Sequence, residues 1–269
     1  MMRVLLVSLF AFGFLGVAQI LELAGLDWSS DGTSLVLVAK NQIYFAPTPA
    51  FAELRPLYPG MDTDWVRFGP GNWFVFPSPV EGGFALWRGF PEGREPELLY
   101  QSTRSISWPT VSADGEKVAF VEDWTDLVVL DLVKGEAKVV LGGSWFKATP
   151  EFLPTGQALL FSGLWPQGEE LGWEIFYLDL RSLDLMQLTS DAFFNWCPRV
   201  SPDGQWIAFV SNRGGAPDIW VLSLLDGSLF PLTQDPWEDG FPSWSPDGGE
   251  VGYASLRLEG WQFLRVKAD

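Results

Sequence analysis

Six times in this chain a tight-turn tetrapeptide precedes an apolar strand at a fixed distance, and no other feature restricts the fold as strongly. The clearest copies are Ser201-Pro202-Asp203-Gly204 and Ser245-Pro246-Asp247-Gly248. Looser ones are Ser29-Ser30-Asp31-Gly32, Phe68-Gly69-Pro70-Gly71, Ser112-Ala113-Asp114-Gly115 and Leu153-Pro154-Thr155-Gly156. Successive closing glycines lie 39, 44, 41, 48 and 44 residues apart. Proline suits the second position of a type I turn, aspartate bonds its local backbone, and glycine accepts positive φ. Three to five residues beyond each glycine stand Leu35-Val36-Leu37, Phe74-Val75-Phe76, Val118-Ala119-Phe120, Leu159-Leu160-Phe161, Ile207-Ala208-Phe209 and Val251-Gly252-Tyr253. Continuous apolar runs, rather than alternation, predict strands buried on both faces. A period of about forty residues with several short strands per unit predicts a β-propeller, one blade per repeat.

Blade five displays the unit: Pro198 to Ser201, Trp206 to Val210, Asp218 to Leu224 and Ser228 to Leu232 read as four strands. Third strands recur at 42–45, 84–87, 127–131, 175–179, 219–222 and 262–266. The predicted fold is therefore all-β, a six-bladed propeller of four-stranded blades. Blade six reads as three strands ending at Val266, and Gln19 to Leu23 is a strand-like run ahead of blade one. The expected closure has this N-terminal strand complete the last blade, which would remove an exposed edge.

Residues 1–18 read as a secretory signal and 19–269 as the propeller. Arg3 is the sole charge before Glu22, Val4 to Val17 is apolar, and Gly16-Val17-Ala18 offers small residues for cleavage. That run falls short of the roughly 20 residues a membrane-spanning helix needs. No transmembrane span is expected after cleavage, and the expected location is periplasmic or secreted. Without Arg3 the chain has 16 basic and 34 acidic residues, a net charge of −18. Such a surface repels phosphate backbones, so nucleic acid is not an expected partner, and it favours cationic partners or serves solubility alone. A monomer is expected.

There is no histidine, which removes Ser-His-Asp and Cys-His nucleophiles and His-ligated zinc. Cys197 is the one cysteine; it forms no intramolecular disulfide and reads as a buried, inert thiol. No catalytic residue, cofactor or metal is predicted. A calcium ion at Asp62, Glu238 and Asp239 would suit hard oxygen ligands, but nothing there has ligand-loop spacing.

The block from Pro198 to Trp220 resembles the propeller repeat of the periplasmic TolB family, a repeat found also in the propeller domains of some prolyl peptidases. Leu232-Thr233 and Phe241 to Gly248 continue the likeness, which weakens in blades two and four, where Pro70 and Thr155 replace aspartate. The resemblance implies a module that binds envelope proteins and peptides, with an extended segment entering the mouth of the central channel. TolB has an α/β domain ahead of its propeller, and here the signal is expected to run straight into the first strand.

Propeller ligands usually meet the ring where loops feed the inner strands. Nine residues before the closing glycines stand Leu23, Asp62, Ile106, Lys147, Asn195 and Asp239, surrounded by Trp145, Phe146, Phe193, Phe194, Trp196, Trp237, Glu238 and Phe241. The predicted partner-binding residues are Asp62, Trp145, Lys147, Phe194, Asn195, Trp196, Trp237 and Asp239. Aromatic rings supply contact area and carboxylates orient an extended ligand, although the same rings also serve to seal blades. The expected function is a non-catalytic binding or scaffolding module of the cell envelope. The alternative is a carboxylate-dependent carbohydrate hydrolase or lyase, which needs an acidic pair facing one cleft.

Overall fold

The computed structural model describes residues 5–7, 20–29, 32–47, 54–167, 170–258 and 260–268. Six antiparallel sheets follow one another along the chain, and no helix occurs among the described residues. Blades two to five each have four strands hydrogen-bonded in chain order. Their inner strands are Arg67–Gly69, Ile106–Val111, Lys147–Phe152 and Asn195–Val200. Blade one is built on Ile20–Trp28, and blade six has Glu238–Trp244, Glu250–Arg257 and Gly260–Lys267.

Every predicted apolar triplet is a buried second-strand core, and the alternation of its side chains explains why both faces had to be apolar. Val36 and Val38 point into a cluster with Phe74 and Phe76 of blade two, whereas Leu35 and Leu37 pack against Ala254 and Trp261 of blade six. The same division recurs around the ring. Ala208 and Val210 face Val251 and Tyr253, while Ile207 and Phe209 face Leu160 and Ile175. Each junction is thus a separate hydrophobic core, and burying one large apolar side chain there contributes roughly 1.5–3 kcal/mol.

The expected mode of closure is corrected. Residues 20–28 form one strand that pairs with Ser34–Ala39 in blade one, and Ile20–Glu22 pair with Leu5–Val7. None of them joins the sheet of blade six, which has three strands among the described residues. The ring instead closes by side-chain packing of Ala254 and Trp261 on Leu26, Leu35, Leu37 and Ala39. The apolar run that prompted the expectation extends the inner strand of blade one, where it continues an existing ladder.

The turn motif does two jobs. Within a blade, Ser201 Oγ donates to Asp203 Oδ1 (2.5 Å), Trp206 N to Ser201 Oγ (2.9 Å) and Gln205 N to Asp203 Oδ1 (3.0 Å). Ser245 with Asp247 and Ser112 with Asp114 repeat the pattern. Between blades, the closing glycine of one turn meets the preceding turn. A Cβ built at Gly204 would lie 3.7 Å from Pro154, at Gly248 3.6 Å from Pro202, and at Gly32 3.9 Å from Pro246. This last contact joins blade six to blade one.

Candidate functional site

Five inner strands shift register in their pairing, that of blade one between Leu23 and Gly25, and the other four share an irregularity that the sequence did not announce. Their pairing shifts register between Ser107 and Thr110, Ala148 and Glu151, Trp196 and Arg199, and Gly240 and Ser243. Inside each shift one non-glycine residue has positive φ: Trp108 (51°), Thr149 (47°), Cys197 (56°) and Phe241 (54°). Each such conformation costs on the order of 1 kcal/mol or more and re-aims the flanking side chains, as β-bulges do.

Those side chains fill the ring axis. Arg67 of blade two pairs with Asp27 of blade one (3.5 Å) and with Glu151 of blade four. Glu151 also accepts from Thr110 of blade three (3.2 Å) and Arg199 of blade five (3.3 Å). Arg199 Nε reaches Pro242 O of blade six (3.1 Å), so one buried network touches all six blades. Burial pushes the Glu151 carboxyl up to about 7, against the lowering pull of Arg67. Cys197 lies near these charges; burial drives its thiol up to about 12, in keeping with an inert sulfur.

Aromatic rings from non-neighbouring blades also meet at the axis. Trp108 of blade three contacts Trp196 of blade five edge-on (5.9 Å between centroids), and Trp65 of blade two lies 6.3 Å from Phe241 of blade six. Contacts between such distant blades must cross the axis, so the channel beneath the mouth is filled by side chains.

The predicted site residues separate into two groups. Trp196 is held by Trp108, Trp173 (4.5 Å) and Phe194 (5.7 Å), and Trp145 by Trp165 (5.0 Å), Phe161 and Phe176. Trp196, Trp145, Phe194 and Trp237 are half-buried at the mouth. Lys147, Asn195 and Asp239 are buried instead. Lys147 Nζ donates to the carbonyls of Thr125 and Trp145, ties the 123–125 hairpin to its neighbour, and is lowered to about 8 by burial. Asn195 Nδ2 donates to Glu174 (3.0 Å) and Asp191 (3.0 Å), and its Oδ1 accepts from Arg213 (2.9 Å). Asp62 is exposed whereas Asp239 is 2% exposed, so these two do not present a carboxylate pair to a common cleft.

The exposed rings are ones that the spacing argument did not rank. Trp124 is 49% exposed, Phe146 46% and Phe193 40%, all large aromatics presented to solvent. All three lie on the mouth face: Lys147 N donates to Trp124 O (2.7 Å), and Leu164 N to Phe146 O (2.9 Å). Phe193 adjoins Phe194, whose N–H is held by Asn212 Oδ1 of the neighbouring hairpin (2.8 Å). Trp124 was findable. It sits beside Asp123 in the 123–125 hairpin loop, both at positive φ (45° and 66°), where such turns ordinarily carry Asn-Gly or Asp-Gly and where no core can cover an indole. Behind it Trp108 stacks edge-on at 4.9 Å, so Trp124, Trp108, Trp196 and Phe194 form a continuous row across blades three and five.

The family model of the TolB beta propeller domain matches residues 84–269. The Tol-Pal system protein TolB of Gluconobacter oxydans (strain 621H) is 29% identical over 100 residues, which cover 37% of this chain and 21% of that protein. The matched segment therefore spans about a fifth of that relative. A putative TolB structure from Agrobacterium tumefaciens superposes with a TM-score of 0.69 at 18% identity, covering 86% of this chain and 89% of that one. An oligogalacturonate lyase from Vibrio parahaemolyticus superposes with a TM-score of 0.64 at 13% identity over 91% and 77% of the two chains. At these identities the structural likenesses report the propeller fold alone.

Proposed function

We propose, because the chain belongs to the TolB β-propeller domain family, that its ring is a non-catalytic protein-binding module of the cell envelope, exported by residues 1–18. A TolB-like propeller carries an envelope protein-binding role at family level. The finer reading is that an extended, basic segment of a partner lies across the aromatic face of blades three to five. The observation behind it is three exposed rings, Trp124, Phe146 and Phe193, set around fixed indoles on a chain of net charge −17. Aromatic rings grouped on one face mark interaction sites where scattered single residues do not, and lysine or arginine side chains gain from stacking on them. The filled axis directs such a segment across the mouth rather than through the ring.

Affinity capture from an envelope extract tests this, with the intact chain beside a Trp124→Ala/Phe193→Ala variant of matched thermal stability. A protein retained by the first at low salt, released by raised salt and lost by the variant supports the reading. Equal capture by both moves the partner to the blade sides or the turn face.

The fold it shares with an oligogalacturonate lyase keeps one enzymatic reading in view. Incubation with polygalacturonate, followed at the absorbance of unsaturated products, would overturn the non-catalytic assignment if turnover appears.

A further inference from the structure

The junctions between blades four and five and between blades five and six repeat one polar network forty-four residues apart with two residues changed, Asp218 standing for Glu174 and Asp239 for Asn195. At the first, Thr189 Oγ1 donates to Glu174 and accepts from Ile175 N. Arg213 is held by Asp191 (2.9 Å) and by Ser211 (3.0 Å). Asn195 joins the halves, its amide donating to Glu174 and its oxygen accepting from Arg213. At the second, Thr233 Oγ1 accepts from Ile219 N (2.9 Å) and faces Asp218 at 3.5 Å. Arg257 is held by Asp235 (2.9 Å) and Ser255 (3.3 Å). The place of Asn195 is taken by Asp239, 2% exposed; neither carboxylate oxygen makes a hydrogen bond of ordinary geometry, although the Ser255 and Thr233 hydroxyls lie close enough to oppose its raised pKa.

A buried carboxylate without a well-formed hydrogen bond is a costly arrangement for a fold to hold. Asparagine and protonated aspartate are nearly isosteric, and both present one donor and one acceptor. We propose that Asp239 is a proton-binding site: protonated in the folded protein, it takes the place of the Asn195 amide, donating to Asp218 and accepting from Arg257. The groups facing it are consistent with this assignment. Asp218 on the adjoining blade and Asp235 on the connecting loop are negative, and Arg257 is already engaged by Asp235. Tyr253, on the same strand as Arg257, is neutral below about 12. Burial raises Asp239, with the Ser255 and Thr233 hydroxyls opposing, and burial followed by the charge of Asp239 pushes Asp218 up to about 6.

An acid raised in the folded state contributes stability that is fully present below its unfolded pKa and is lost as pH rises through its folded value. Ionisation therefore loosens the strap from Thr233 to Asp239, which carries Trp237 on the mouth face, while the Asn195 junction keeps its network. Two measurements test the proposal together. In carboxyl ¹³C titrations of the intact chain, Asp218 and Asp239 should ionise above the ordinary aspartate range, and Asp239→Asn should bring Asp218 down. In thermal melts Asp239→Asn should raise Tm at pH 7.5 by about 4 °C or more and give no gain at pH 4.5, and Asn195→Asp should introduce the same slope at the other junction. An unchanged Asp218 titration, or a lower Tm for Asp239→Asn at both pH values, would overturn it. So would a calcium-dependent rise in Tm at pH 7.5 that Asp239→Asn abolishes, which would make the pair a metal site.

Discussion

The two ends of the ring are built on opposite rules. At the turn face each element is solved locally: a serine, an aspartate and a glycine within four residues satisfy one another, and the next blade's turn rests on them. At the mouth and down the axis almost nothing is local. Arg67 and Glu151 are 84 residues apart, Arg199 and Glu151 48, and Trp108 meets Trp196 across the ring. The local end responds to acid and the axial end to base. Asp114, Asp203 and Asp247 are held below the usual aspartate value chiefly by their serine hydroxyls, so their contribution is present above about 4 and fades as pH falls. Glu151 is raised to about 7 by burial, so its contribution is present below the ordinary glutamate value of 4.5 and is lost as pH rises through about 7.

The sharpest way to break this contrast is to attack the axis. Arg199→Ala leaves the buried Glu151 and the Pro242 carbonyl short of a partner. It should cost about 3–5 kcal/mol, roughly 10 °C or more in Tm by calorimetry. Glu151→Gln separates charge from packing. Whatever its absolute stability, the fall in unfolding free energy between pH 4.5 and 8 should become shallower by on the order of 2–3 kcal/mol in urea melts. An unaltered slope would mean that Glu151 is ionised throughout that range.

Smaller effects belong to the turn face. Gly71→Ala and Gly115→Ala both place a side chain at positive φ (77° and 74°), but only the second puts a Cβ within 3.0 Å of Pro70. Gly71→Ala should cost about 1 kcal/mol and Gly115→Ala clearly more, a difference that reads the inter-turn contact directly. Smallest of all, Trp124→Ala should leave stability within about 0.5 kcal/mol while abolishing capture of a basic partner.

How much of this was legible follows from the same contrast. The turn glycines, the apolar triplets and the buried Cys197 could be read because each reports a requirement that neighbouring residues impose. The placement of the predicted site residues was legible only in part. The rule of nine residues before each glycine selected Lys147, Asn195 and Asp239, whose side chains turn inward, and brought in the half-buried rings Trp145 and Trp196 only as their neighbours. It missed Trp124 because that residue lies on a different loop and reaches the mouth through the hairpin of its own blade. The closing strand was misassigned since a short apolar run is equally suited to extending one sheet or completing another.

Sequence by itself therefore determined the repeat, the number of blades, the double-sided cores and the family, all consequences of short-range turn chemistry and a hydrophobic period. Tertiary structure alone decided that the axis is filled, which rings face solvent, how the ring closes, and that Asp239 lacks the donor that Asn195 supplies. Those outcomes depend on residues forty to eighty positions apart arriving at one place. Burial, and with it the energy of each polar group, is defined only once they have arrived.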